Sequence, residues 1–259
     1  MLTHRFTYII LGILLLCWIT LRFGMEVNIS GWWLLLLPLI YLPLCVWGAI
    51  KIQANYFIPS VSQARTNEKV VALTFDDGPL PEFTPLVLDI LKQEQAPAAF
   101  FCIGKNIPEH DELLERIHAE GHVVGNHSWC HDFWFDLYSA KRMQLDLDRM
   151  QEQVESVLGL TPRLFRPPYG VTNPNLATAV EKERLVSVGW SIRSLDTVAK
   201  DEEALLQKIL DALHPGAVIL LHDTCRITAA ILPRLIKGIR ERGYRLERID
   251  KLLKIPAYA

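Results

Sequence analysis

The sequence has no surplus of either charge, little cysteine and no low-complexity tract. Its 259 residues carry 27 Lys and Arg against 29 Asp and Glu, a near balance that argues against a nucleic-acid partner. Half of the residues are hydrophobic, so the chain is too apolar and too evenly charged for a disordered or collagen-like protein. Five cysteines without a Cys-x-x-Cys pair do not form a disulfide framework: Cys17 and Cys45 fall in the apolar first part, and Cys102, Cys130 and Cys225 beyond it. No internal repeat occurs.

Charge is also missing locally. None occurs in the 16 residues from Phe6 to Leu21 or in the 20 from Gly31 to Ile50. Residues 1–50 hold only Arg5, Arg22 and Glu26, which leaves 25 basic and 28 acidic side chains for the other 209 residues. About 20 apolar residues cross a bilayer core, so segments 6–22 and 31–50 read as two transmembrane helices, a hairpin anchor over residues 1–50. Arg5 and Arg22 sit at the ends of the first segment, where their stems can snorkel toward headgroups. Four of the seven Trp residues (Trp18, Trp32, Trp33, Trp47) lie in this part, three of them near segment ends, as interfacial anchors do. The alternatives are a cleaved signal peptide for the first segment and a buried core helix for the second. No small-x-small site follows Leu21, and Pro38 and Pro43 would break a soluble helix, whereas membrane helices tolerate them. The expectation is therefore an integral protein of the cell membrane. Arg5, Lys51 and the N-terminal amine share one side against Arg22 in the loop, a one-charge lean toward a cytoplasmic domain that leaves the side open.

Residues 51–69 are polar without periodicity and read as a linker. In residues 70–259, short β-rich runs alternate with helical patterns. The strands are expected at Val70–Phe75, Ala98–Ile103, His122–Gly125, Arg163–Arg166, Leu185–Ile192, Ala217–Leu221 and Tyr244–Ile249. Helices are expected at Glu82–Gln95, Asp111–Glu120, Ser139–Leu158, Asn175–Glu183, Asp201–Leu213 and Thr228–Arg242. Repeated βα units imply a parallel sheet covered by helices, an α/β barrel or a doubly wound sheet. The chemical residues fall at the C-terminal ends of these strands, which in parallel α/β folds share one face.

Thr74-Phe75-Asp76-Asp77-Gly78-Pro79 puts two carboxylates at a strand end. Alone it reads as a turn; functionally, one carboxylate binds a metal while the other handles a water proton. His127 and His131, four apart, would meet on one side of a helical turn, and with a carboxylate they leave open positions on a divalent ion. The pair alone is more often structural or surface-exposed; together with Asp77 the balance reverses. Arg166-Pro167-Pro168-Tyr169-Gly170 is either a Pro-rich bend or a fixed cation that orients an acid beside a substrate-facing N–H. His222, in Leu220-Leu221-His222-Asp223, is either a satisfied core histidine or a general acid.

The order TFDDGP at 74–79, HSWCH at 127–131, RPPYG at 166–170 and LLHD at 220–223 resembles the polysaccharide deacetylase (NodB-homology) domain of the carbohydrate esterases, over roughly residues 68–250. The resemblance implies a distorted (β/α)7 barrel, here following a transmembrane hairpin, and metal-dependent N-deacetylation of amino sugars. It implies Asp77, His127 and His131 as ligands of one divalent ion, zinc first. It makes Asp76 the base that deprotonates metal-bound water, held by Arg166, and His222 the acid that protonates the leaving amine. The Tyr169 N–H would hold the oxyanion, with Pro168 and Leu221 on the substrate. Where many members carry Asp-x-x-Asp-Trp, this chain reads Arg193-Ser194-Leu195-Asp196-Thr197. Asp196 remains to orient His222, while Arg193 and Thr197 alter the acyl or sugar pocket. Asn126-His127-Ser128 matches a glycosylation sequon, read as coincidence because a glycan there would obstruct the site.

The expected function is removal of N-acetyl groups from a peptidoglycan-like or chitin-like polysaccharide. The alternatives are deacylation or deformylation of a lipid-linked amino sugar at the inner leaflet, and an inactive carbohydrate-binding membrane protein. The partners implied are an N-acetylated glycan or lipid-linked amino sugar and the lipid bilayer.

Overall fold

The computed structural model describes residues 2–259. Helix α1 (His4–Ile19) runs on through a wide turn at Thr20–Gly24, and a tight turn at Gly31–Leu35 leads into α2 (Leu36–Ile50). Both stretches are long and apolar enough to cross a membrane, and only 6% of each is buried. Thr3 caps α1 by accepting from the Phe6 N–H, and His4 Nε2 meets Tyr41 Oη at 2.8 Å between the two helices.

The remaining chain alternates strand and helix: β1 (Ser60–Val61), β2 (Val70–Asp76), α3 (Thr84–Gln93), β3 (Ala98–Cys102), α4 (Asp111–Ala119) and β4 (Val123–Asn126). It continues with α5 (Ala140–Leu158), β5 (Leu164–Phe165), α6 (Pro174–Lys182), β6 (Val186–Val188), β7 (Ile192–Arg193) and α7 (Glu202–Asp211). Last come β8 (Val218–His222), α8 (Arg226–Glu241), β9 (Arg245–Leu246) and α9 (Ile249–Leu253). Eight strands lie in the order β1-β6-β5-β4-β3-β2-β8-β7, all parallel, with β9 added to the start of β2. The sheet curls so that the chain just after β1 meets the lead-in of β8: the Ala64 N–H donates to Gly216 O at 2.9 Å, and Gln63 bridges Ala217. The result is a distorted, open α/β barrel.

Alternation along β2 explains both layers and site. Val71, Leu73 and Phe75 face outward into a core shared with α3, α4, α5, α7 and α8. Val70 and Ala72 face inward, where Phe101, Val188, Trp190, Val218 and Leu220 fill the barrel. With a side-chain period of two, Thr74 and Asp76 continue the inward row, so the strand delivers a carboxylate to the barrel mouth. Asp201 and Ser139 cap α7 and α5 with their side chains, so each helix starts one residue later than its sequence pattern.

Three expectations change. The stretch read as a linker contains β1, which pairs with β6, and buries Ile52, Tyr56 and Ile58; its polar, aperiodic sequence hides an edge strand of two residues. The run Leu185–Ile192 is two strands, β6 and β7, because Gly189 and Trp190 turn the chain between them. Tyr244–Ile249 contributes only Arg245–Leu246 to the sheet before α9 begins. The sheet thus holds nine strands rather than seven.

Candidate active site

The C-terminal ends of β2, β4, β5 and β8 converge on one polar mouth. Asp77 lies beyond β2, and His127 and His131 follow β4. The two imidazoles do not share a helical turn, since 127–131 is irregular; left-handed backbone at Ser128 (φ 67°) and His131 (φ 44°) folds the loop back on itself. His127 Nε2 and His131 Nε2 each stand 3.5 Å from Asp77 Oδ1, and all three ligand atoms lie within 4.8 Å of one another. Two ligands about 2.1 Å from a tetrahedral ion are themselves about 3.4 Å apart, so the donor set has the spacing of a divalent-metal site. Asp77 Oδ1 is buried with no hydrogen-bond partner, as a ligand atom would be before it meets a cation. His127 Nδ1 pairs with Arg166 O at 2.7 Å, which turns its Nε2 toward Asp77.

Asp76 is nearly buried beside this cluster. Arg166 Nη1 donates to its Oδ1 at 2.7 Å, leaving Oδ2 facing His127 Nε2 at 3.8 Å. Arg166, itself 0% exposed, is fixed on every side: Nη1 also donates to Thr74 Oγ1, Nε to Val188 O and Nη2 to Gly189 O, while its Cζ lies 4.1 Å from the centroid of the Phe101 ring. Four donors aimed at fixed acceptors keep a buried cation from being an isolated charge.

His222 closes the opposite side, with Nε2 4.0 Å from Asp77 Oδ2 and Nδ1 2.7 Å from Asp196 Oδ1. Asp196 is 1% exposed and held by Thr228 Oγ1 (2.6 Å), Ser194 Oγ (2.8 Å) and the His222 N–H (2.7 Å). Burial would lower the His222 pKa, but the hydrogen bond and charge of Asp196, with Asp76 and Asp77 behind it, raise it to about 9. Burial likewise pushes Asp77 up, but His127, with the charges of His131 and His222, holds it at about 2. His131, desolvated and next to His127, falls to about 4 and so offers a neutral ring.

Tyr169 stands half exposed over the site, its ring 4.7 Å from that of His131. Its backbone is left-handed (φ 58°), and the turn is tied by the Gly170 N–H to Pro167 O and the Val171 N–H to Pro168 O. Gly170 (φ 72°) is required twice over, because a Cβ there would also strike the Trp190 ring. Asp77, Ser128, His131, Tyr169 and Leu195 all have positive φ, so half of the ten such non-glycine residues among those described belong to the mouth. Backbone strain concentrated in this way marks functional sites.

Pro168 is buried in the turn beneath Tyr169. Leu221 is a correction: its side chain is fully buried in the outer core with Phe75 and Leu235, because β8 alternation sends Leu220 into the barrel and Leu221 toward the helices. Asn126 of the sequon is 0% exposed and its Nδ2 donates to Leu147 O, so the match has no acceptor to offer. Cys130 packs against the cluster around Phe135 and Tyr138. Sequence reasoning missed Thr74, Ser194 and Thr228, which hold Arg166 and Asp196; isolated hydroxyls give no pattern. It also left Asp223 unassigned. Asp223 is fully buried, accepts from Thr84 Oγ1 at 2.6 Å and is pushed by burial to about 7.

The profile of the polysaccharide deacetylase family matches residues 63–187. The chain is 36% identical over 207 residues to a peptidoglycan-N-acetylglucosamine deacetylase of Bacillus cereus, covering 76% of this chain and 75% of that one. It is 32% identical over 198 residues to the peptidoglycan-N-acetylmuramic acid deacetylase PdaC of Bacillus subtilis, covering 76% of this chain but only 42% of that longer protein. Among solved structures, the Bc1960 peptidoglycan N-acetylglucosamine deacetylase, bound to a hydroxamate-type benzamide, superposes with a TM-score of 0.74 at 28% identity over 77% of this chain and 95% of that one. His222, which lies beyond the matched profile, joins the same mouth by geometry. With its barrel, its four ordered motifs and these relatives, the chain belongs to the polysaccharide deacetylase family.

Proposed function

We propose that the chain is a membrane-anchored, divalent-metal-dependent hydrolase that removes N-acetyl groups from amino sugars of a polysaccharide. The observation that carries this reading is the set of ligand atoms of Asp77, His127 and His131 within 4.8 Å, flanked by Asp76 on one side and His222 on the other. Names of relatives that act on peptidoglycan support the substrate class. In this reading Asp77, His127 and His131 hold one divalent ion, zinc first, which polarises the amide carbonyl and lowers the pKa of water to about 7.

The protein's own groups do the rest. Asp76, one oxygen pinned by Arg166, takes the proton of the attacking water on the other. His222, kept protonated through neutral pH by Asp196, gives a proton to the departing nitrogen. An amide needs that proton because an unprotonated amine anion is too poor a leaving group. The Tyr169 N–H, carried on a stiff turn, steadies the oxyanion. The two N-terminal helices serve as a hairpin anchor of residues 4–50, and the catalytic domain starts near Ile52, since β1 belongs to its sheet.

A second reading, deacylation or deformylation of a lipid-linked amino sugar, is favoured by one contact: the end of α2 is hydrogen-bonded to Thr172, two residues beyond Gly170 of the active-site turn. An inactive carbohydrate-binding protein would not need the paired acid and base. The test is acetate release from N-acetylated glycan fragments by metal-loaded protein, compared with Asp76→Asn. The variant should lose roughly 100-fold or more. Undiminished release by the variant would refute the assigned base.

A further inference from the structure

We propose that the mouth of the site docks on the bilayer, through a loop that continues the surface of the anchor helix. The inference rests on the reading of α1 and α2 as a membrane hairpin. It adds a second, separate contact between the catalytic domain and lipid.

The observations form one continuous path. Thr172, 2% exposed, donates its N–H to Ala49 O and its Oγ1 to Gly48 O, each at 3.0 Å, so the last turn of α2 is tied to the active-site turn. Gly48 has no side chain because Tyr56 lies against it, and a Cβ would collide with the ring. From Thr172 the path continues through Asn173 Nδ2, which donates to Asp136 O at 2.9 Å, and Asn175 Nδ2, which donates to Tyr138 O at 3.0 Å. These bonds fix the loop 132–138, whose Phe135 and Tyr138 are buried in the domain.

The same loop turns its other large apolar side chains outward: Phe133 is 70%, Trp134 60% and Leu137 75% exposed. The Phe133 ring lies 6.5 Å from that of Tyr169, so the patch rims the mouth. A helix spanning a bilayer core ends at the headgroups, and residues tied to its last turn lie at that level. Phe and Trp on a loop at this depth are the side chains that partition into an interface. A soluble domain gains nothing from holding three such groups in water on a loop whose backbone is pinned. The occupant that fits is the lipid surface the anchor already occupies. Because the loop also carries Asp132 and Asp136, a zwitterionic bilayer is the suitable probe.

The full chain is reconstituted in phosphatidylcholine vesicles with the photoreactive residue p-benzoylphenylalanine in place of Leu137, or in place of Lys254, exposed just beyond α9, whose Ile249 and Leu252 pack with Val70 at the start of β2. After illumination, lipid adducts are counted by mass spectrometry. Position 137 should yield at least about fivefold more lipid adduct than position 254. Vesicle-bound protein with equal yields, or with adducts to a second copy of the chain in place of lipid, overturns the docking while leaving the anchor intact. Protein that fails to float with the vesicles overturns the anchor and the docking together. None of these readouts uses catalytic activity, so they stand apart from the deacetylase reading.

Discussion

The barrel mouth and the N-terminal hairpin depart from the usual rule of burial in opposite directions. The mouth buries charge: Arg166 is 0% exposed, Asp196 1% and Asp76 3%. The hairpin exposes hydrocarbon: Leu39 is 67% exposed and Leu42 60%, on helices with little around them. Charge is tolerated inside because Asp76 is paired with Arg166, which makes three further hydrogen bonds, and Asp196 accepts from His222, Ser194 and Thr228. Leucine is tolerated outside only if the surroundings of the helix are not water. In the proposed reading, what completes each region lies outside the polypeptide: a cation held by Asp77, His127 and His131 at the mouth, and lipid around the hairpin.

Breaking the buried pair should have the largest effect. Arg166→Ala leaves Asp76 without its partner and should lower unfolding free energy by about 3–5 kcal/mol in urea titration, with loss of activity. A cost under about 1 kcal/mol would mean that water replaces the guanidinium.

Asp196→Asn sharpens the electrostatic side. Folded His222 titrates near 9, above its ordinary value of about 6.5. Its pairing therefore stabilises the fold fully below about pH 6.5 and is lost as pH rises through about 9. In the variant this alkaline decline should fade in urea unfolding of the metal-free protein. The alkaline limb of kcat/KM should also move acidward by about two units. An unmoved limb would show that another group supplies the leaving-group proton.

The smallest expected effect lies in the hairpin. Leu39→Ala should change the unfolding of the barrel by no more than about 0.5 kcal/mol, whereas Leu73→Ala in β2 should cost about 2–5 kcal/mol. Equal costs would mean that the hairpin is part of the domain core.

Much of this was readable in the sequence, for reasons that differ by element. The long apolar runs and the amphipathic α5 and α8 follow directly from periodicity. The motif residues Asp76, Asp77, His127, His131, Arg166 and His222 are brought together because parallel strands end on one face. β1, β7 and β9 were missed or misjudged because two residues carry no period. The meeting of His127 with His131 through left-handed backbone, rather than a helical turn, cannot be seen in spacing alone. Leu221 was assigned to the wrong side because its neighbour in the motif faces the site and strand alternation places it on the other face.

Metal titration of the purified full chain tests the central claim most directly. Wild-type protein stripped by chelation should regain acetate release with one equivalent of a divalent ion per chain, and His131→Ala should bind far less metal and release little acetate. Full acetate release by the stripped protein, or wild-type metal content in His131→Ala, would contradict it.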